Sequence, residues 1–163
     1  GDNGKLYAGV PESTIGLMRS LVECADYAVP NYTEACLLTD TPIAEEITAD
    51  EARTLVDAML ALGTKSVVIT SAKVDGASAV IGYDHVAGEY FEIPFELIPV
   101  YFPGTGDTFS AVLMGRVMNG WSLQRATADA MRVVAELIER NADQEDKSAG
   151  LPIEACLDVI DHE

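Results

Sequence analysis

Positive charge is scarce in this chain of 163 residues: ten Lys and Arg stand against 27 Asp and Glu, a formal net charge of -17 at pH 7. A field of that sign repels polyanions, which disfavours nucleic acid and an anionic membrane surface as partners. A phosphate-bearing ligand would need a local device instead, such as backbone amides, a helix N-terminus or a divalent cation. Cysteine is also sparse. Cys24, Cys36 and Cys156 are an odd number without C-x-x-C spacing, which argues against a disulfide framework and a structural zinc site and fits a reducing cytoplasm. Cys24 and Cys36 lie among apolar residues and read as buried thiols. The two histidines, His85 and His162, have no metal-ligand partner at useful spacing, so a Ser-His-Asp hydrolase is disfavoured. No apolar run approaches the eighteen or so residues that span a bilayer, and no basic segment followed by an apolar one opens the chain. The opening Gly1-Asp2-Asn3-Gly4 has no Met, is turn-like, and reads as a start inside a domain.

What is present is enough apolar material for one core: 48% of the residues are hydrophobic and 23% charged. The periodicity predicts a helix over 12–25, with Ile15, Leu17, Met18, Leu21 and Val22 as its apolar positions. A short buried strand follows at 27–29, stopped by Pro30, and Asn31 caps a short helix through Leu38. Asp50 is expected to cap a further helix that ends at Gly63. Ser66-Val67-Val68-Ile69-Thr70 is a continuous β-branched run, as in a strand buried on both faces. Residues 77–83 and 89–94 read as an antiparallel pair, and 98–102 as another short strand. Helices are expected over 108–118, 123–141 and 152–160. This alternation argues an α/β fold with a mainly parallel sheet.

Three segments carry candidate chemistry. Phe102-Pro103-Gly104-Thr105-Gly106-Asp107 precedes a helix. Its glycines permit unusual φ and close backbone approach, and the helix start offers unpaired N–H groups and a positive dipole end. These form an anion hole suited to a phosphoryl group in transfer. A carboxylate there is repelled by phosphate, so Asp107 reads as a base that takes the proton of an attacking hydroxyl; the plainer reading is an Asp capping the helix. Asn31 and Glu34 project from one first helical turn, either to organise a magnesium ion and its waters or as a capping box. Thr70 and Ser71 end the most buried strand, where α/β sheets bind ligands, or simply run into a turn. All three fall at C-terminal ends of predicted strands.

VPNYTEA (29–35), VVITS (67–71) and FPGTGDTFSA (102–111), in this order, resemble the ribokinase-like superfamily and, within it, the pyridoxal kinases. The resemblance runs over residues 1–163 as a single domain and matches the C-terminal part of a family member. It implies a three-layer fold around a mainly parallel central sheet. It also implies ATP-dependent phosphorylation of the 5′-hydroxymethyl group of pyridoxal, pyridoxine or pyridoxamine in the cytoplasm. Asp107 would be the catalytic base, and the amides of Gly104, Thr105 and Gly106 the anion hole. Asn31 and Glu34 match the motif that organises magnesium and the ATP phosphates, and Asp2 matches the magnesium-proximal aspartate. Thr70 and Ser71 match nucleotide contacts, Ile98 to Val100 fall where the chain passes the adenosine, and Tyr7 falls at a tyrosine near the active site. The resemblance extends to a monovalent cation and to a homodimer at full length. Val29 departs from it, standing where many relatives carry a Thr whose hydroxyl helps hold that cation. A hydroxymethylpyrimidine kinase is the nearest alternative, although that group often has Cys after Gly-Thr-Gly. A non-catalytic nucleotide-binding or scaffold fragment is the alternative from another class.

Overall fold

A computed structural model describes residue 1 and residues 4–160. The chain falls into two compact units, Gly1–Glu96 and Leu97–Glu163, and each is described by itself. Among the described residues no helix is long and apolar enough to cross a membrane.

The first unit carries one four-stranded sheet in the order β1 (Tyr27–Ala28), β2 (Ser66–Val74), β3 (Ala77–Asp84), β4 (Glu89–Pro94). Three helices belong to it: α1 (Ser13–Glu23), α2 (Tyr32–Thr39) and α3 (Ala49–Ala61). The class is α/β, but the sheet is mixed. β1 pairs parallel with β2, while β2–β3 and β3–β4 are antiparallel. The reason lies in the connection between β2 and β3. Asp75 and Gly76 both take positive φ, 46° and 88°, the backbone of a two-residue hairpin turn, so the chain returns at once rather than crossing over through a helix. The β3–β4 pair forms as expected, in the register Gly82↔Phe91. Its loop is tied by Asp84, whose Oδ1 accepts the N–H groups of Val86 (2.9 Å) and Ala87 (3.2 Å).

β2 is the central strand. Val67, Val68 and Ile69 are fully buried, as their unbroken β-branched run predicts. Val67 and Ile69 join a core with Ala35, Leu55, Val56, Met59 and Ile81. α3 begins two residues earlier than expected, because Thr48 rather than Asp50 is the cap. Thr48 and Glu51 form a reciprocal capping box.

α1 departs most from its pattern. Val22 is buried and Ile15 packs against the core, but Leu17 and Leu21 are 68% and 63% exposed and Met18 is also exposed. Five apolar positions within eight residues span more of the helix surface than the one stripe that the core covers. Cys24 follows that outer surface and is exposed, while Cys36 is buried as expected.

The second unit is an α-hairpin, α4 (Thr105–Met118) and α5 (Leu123–Arg140), followed by a 3-10 turn at Ile153–Ala155 and α6 (Leu157–Ile160). Its core is Phe102, Phe109, Leu113, Ala126, Ala130, Val133, Leu137 and Val159. Residues 98–102 are not a strand. Pro99 and Pro103 cannot donate to a ladder, and the Val100 N–H instead donates to the Ile98 carbonyl at 2.8 Å, a tight turn around Pro99. α4 starts three residues earlier than predicted, directly after Gly104.

A ladder of charges ties the hairpin to α6. Asp129 accepts from Arg116 (2.8 Å) and pairs with Arg132 (2.9 Å), and Arg140 bridges Glu136 and Asp158 (2.6 Å each). Burial works to raise the Asp129 carboxyl, but the hydrogen bonds from Arg116 and Arg132 outweigh it and hold it below the ordinary 3.8. A carboxyl lowered in the folded state contributes stability that is complete above its unfolded value and lost as pH falls through the folded one. The second unit is therefore expected to lose stability as pH drops below about 4. Asp129→Asn should lower stability at pH 7 by on the order of 2 kcal/mol and flatten the slope of melting temperature against pH in that acid range, which calorimetry across pH would read.

Candidate active site

The first unit brings Asn31 and Thr70 side by side. The Thr70 N–H donates to the Pro30 carbonyl at 3.0 Å, and an isolated parallel bridge joins Asn31 to Thr70. Both residues lie just beyond the carboxyl end of the β1–β2 ladder, the edge where open α/β sheets take ligands. Pro30 stops β1 and Asn31 opens α2 with extended backbone, φ -79° and ψ 172°. The Asn31 Oδ1 accepts the Glu34 N–H at 2.9 Å, and the Glu34 Oε2 accepts the Asn31 N–H at 3.1 Å. The capping box is therefore formed. Both side chains make second contacts with residue 1: Asn31 Nδ2 donates to the Gly1 carbonyl (2.8 Å), and the Gly1 backbone nitrogen donates to Glu34 Oε1 (2.9 Å). Asp2, expected beside a metal, lies outside the described residues. Tyr7 is exposed in the first unit.

Ser71, next to Thr70, is exposed and has φ 60°. The β2–β3 register slips between Ile69 and Ala72, so Ser71 falls at a bulge. A non-glycine residue in the left-handed region is strained, and such residues gather where a ligand is held. No residue type in VVITS signals that backbone, and sequence reading misses it.

The second unit holds Gly104, Thr105, Gly106 and Asp107 on one turn. Gly104 is the helix cap, with φ 83° and no side-chain cap bond. The first intrahelical bonds run from Thr108 N–H and Thr108 Oγ1 to the Gly104 carbonyl, at 3.0 and 3.1 Å. The N–H groups of Thr105, Gly106 and Asp107 precede them and so have no intrahelical acceptor. A Cβ at Gly104 or Gly106 would meet nothing within 4 Å, so the face beside these amides is open. Asp107 is the third helical residue and exposed, and its carboxylate has no hydrogen bond or ion pair among the described residues. The cap is Gly104, so the plainer reading of Asp107 as a helix cap does not hold. The arrangement offers several donors and one free carboxylate within a single helical turn. Ile98 and Val100, both half-buried, belong to the segment that leads into it.

Among the described residues no group of three or more His, Cys, Asp or Glu could hold a metal ion. Magnesium commonly binds through one or two carboxylates together with substrate phosphates and water, a smaller protein donor set than such a group.

Residues 8–151 match the model of the family described as phosphomethylpyrimidine kinase. The chain is 33% identical to the pyridoxal kinase of Arabidopsis thaliana over 170 residues, covering 98% of this chain and 52% of that protein. It thus spans about half the length of that curated relative. Among solved structures it resembles a Bacteroides thetaiotaomicron protein assigned as a phosphomethylpyrimidine kinase and crystallised with pyridoxal. There the TM-score is 0.90 at 31% identity, over 99% of this chain and 58% of that one. It also resembles the pyridoxal kinase of Lactobacillus plantarum, with a TM-score of 0.83 at 29% identity over 98% of this chain and 58% of that one.

Proposed function

The chain belongs to the phosphomethylpyrimidine kinase family, and from that premise we propose that the full-length protein transfers a phosphoryl group from ATP to the 5′-hydroxyl of pyridoxal, pyridoxine or pyridoxamine. The observation that carries this reading is the turn 104–107, which joins amides without intrahelical acceptors to a carboxylate that has no hydrogen bond or ion pair among the described residues. Asp107 takes the proton of the acceptor hydroxyl as its oxygen bonds to the γ-phosphorus and the bond from that phosphorus to the β–γ bridging oxygen breaks. The amides of Gly104, Thr105 and Gly106 meet the charge on the phosphoryl oxygens. In this reading Thr70 and Ser71 contact the nucleotide phosphates, and Ile98 and Val100 line the path of the adenosine. Glu34 and Asp2 would hold the water shell of a magnesium ion, with Asn31 fixing Glu34 through the capping box. Magnesium supplies charge neutralisation on the phosphates when bound. A monovalent cation would not find a hydroxyl at Val29. The functional form in this reading is a cytoplasmic homodimer.

Phosphorylation of a hydroxymethylpyrimidine is the second reading, favoured by the description of the matched family model. Steady-state assays of the full-length protein with magnesium-ATP and each acceptor separate the two. A kcat/KM at least about tenfold higher for a B6 vitamer, 1.4 kcal/mol in transition-state binding, is the expected result. The reverse order would assign the protein to the pyrimidine. Binding of ATP without turnover of either acceptor would make it a nucleotide-binding scaffold.

A further inference from the structure

An anion hole accelerates transfer only if its donors are held in place before the charge develops. Gly104 and Gly106 have open space on their Cβ sides, so those faces lend the loop no rigidity. On its helix side the loop is held by the Thr108 bonds to the Gly104 carbonyl; on the other side it must be fixed through the residues just before it. Phe102 is 1% exposed, and Pro103 is met from outside by a turn near the end of the chain.

That turn is 147–150. Gly150 has φ 82°, and a Cβ there would stand 3.0 Å from the Pro103 carbonyl oxygen. The Gly150 N–H donates to the Lys147 carbonyl at 3.1 Å, closing the turn. The Lys147 ammonium donates to the Gln144 carbonyl (2.6 Å) and lies 5.9 Å from the centre of the Phe102 ring. Gln144 donates to Asn141 Oδ1 (3.0 Å), and buried Asn141 donates to the Leu137 carbonyl (2.8 Å) on α5. A continuous set of contacts therefore runs from the end of α5 to both residues that precede Gly104.

We propose that the 147–150 turn is the backstop of the anion loop, with Gly150 as a positioning residue for phosphoryl transfer and Lys147 as the strut that holds the turn against Phe102. The inference rests on the kinase reading above for its catalytic consequence, but not for its structural one. Any side chain at 150 strains the backbone and pushes against the Pro103 peptide, which shifts the amides that follow.

The test compares Gly150→Ala with Gly120→Ala in the full-length protein. Gly120 has nearly the same φ, 86°, but nothing within 4 Å of a built Cβ, so it reports backbone strain alone. Gly150→Ala is expected to lower kcat on the order of ten- to a hundredfold, as small misplacements of reacting groups do, with KM for the acceptor unchanged. Amide hydrogen exchange over 103–107 should quicken about tenfold, while Gly120→Ala alters neither readout. Wild-type exchange over 103–107 in Gly150→Ala overturns the inference, whether or not the protein proves to be a kinase. Faster exchange with an unchanged kcat overturns its catalytic part. Should Gly150→Ala fail to fold, Lys147→Met decides: the same two changes in smaller measure support the backstop, and wild-type values for both overturn it.

Discussion

On the proposed reading, Asp107→Asn in the full-length protein is expected to lower kcat for B6 vitamers by about 10³-fold, within the range that general-base catalysis contributes, while the protein still folds. Asparagine keeps the size of the side chain but cannot accept the proton of the attacking hydroxyl. Because Asp107 has no hydrogen bond or ion pair among the described residues, its replacement breaks no contact. Only its favourable position near the helix N-terminus is lost, about 0.3–1 kcal/mol. Melting curves and kcat measured on one preparation separate these effects. A kcat near the wild-type value would remove Asp107 from the base's role and leave the turn as an anion-binding element alone.

Gly82→Ala is expected to have the largest effect on stability. Gly82 lies in the middle of β3, opposite Val68 on one side and Phe91 on the other. A Cβ there would stand 2.5 Å from both Phe91 Cζ and the Val67 carbonyl oxygen. The ring can swing, but the carbonyl belongs to the central strand and cannot move without distorting the ladder. Overpacking of this kind costs about 3 kcal/mol, a large part of an ordinary domain's stability. Gly16→Ala is the control. It sits inside α1 with nothing within 4 Å, where alanine should add about 1 kcal/mol through helix propensity. Urea titrations of both variants would show opposite shifts. Equal stability of Gly82→Ala and wild type would mean that β3 carries less of the fold than its burial suggests.

The elements most legible in the sequence are those with a local cause. The β-branched run 66–70, the glycine after α3 and the Asn31–Glu34 pair each contain their own instruction. The β2–β3 hairpin is signalled by Asp75-Gly76 between apolar runs, but the unbroken β-branched run 66–70 is equally the pattern of a parallel-sheet strand. Residues 98–102 are apolar enough for a strand, and only the absence of ladder donors at Pro99 and Pro103 tells against one. Exposure of α1's outer surface and of Cys24 depends on what packs against them, which periodicity does not encode. The same holds for Gly82 and Gly150, whose requirement for glycine comes from atoms distant along the chain. Of the candidate site, residue types in Asn-x-x-Glu and Gly-Thr-Gly-Asp are readable. The left-handed backbone of Ser71 and the lack of a partner for Asp107 among the described residues are not.

The pairing pattern of the sheet also bears on the order in which the chain assembles. The β2–β3–β4 meander and the α4–α5 hairpin join segments that adjoin in sequence, so each closes a short loop at small entropic cost. The β1–β2 ladder is different. It consists of two residue pairs, Tyr27↔Ser66 and Ala28↔Val67, and closing it spans the whole of α2 and α3. So few contacts return little energy for so long a closure, and non-local pairings of that kind form slowly. The ladder is therefore the late step in the first unit's folding, and the Asn31–Thr70 bridge beside it forms only when the rest of that unit is already in place.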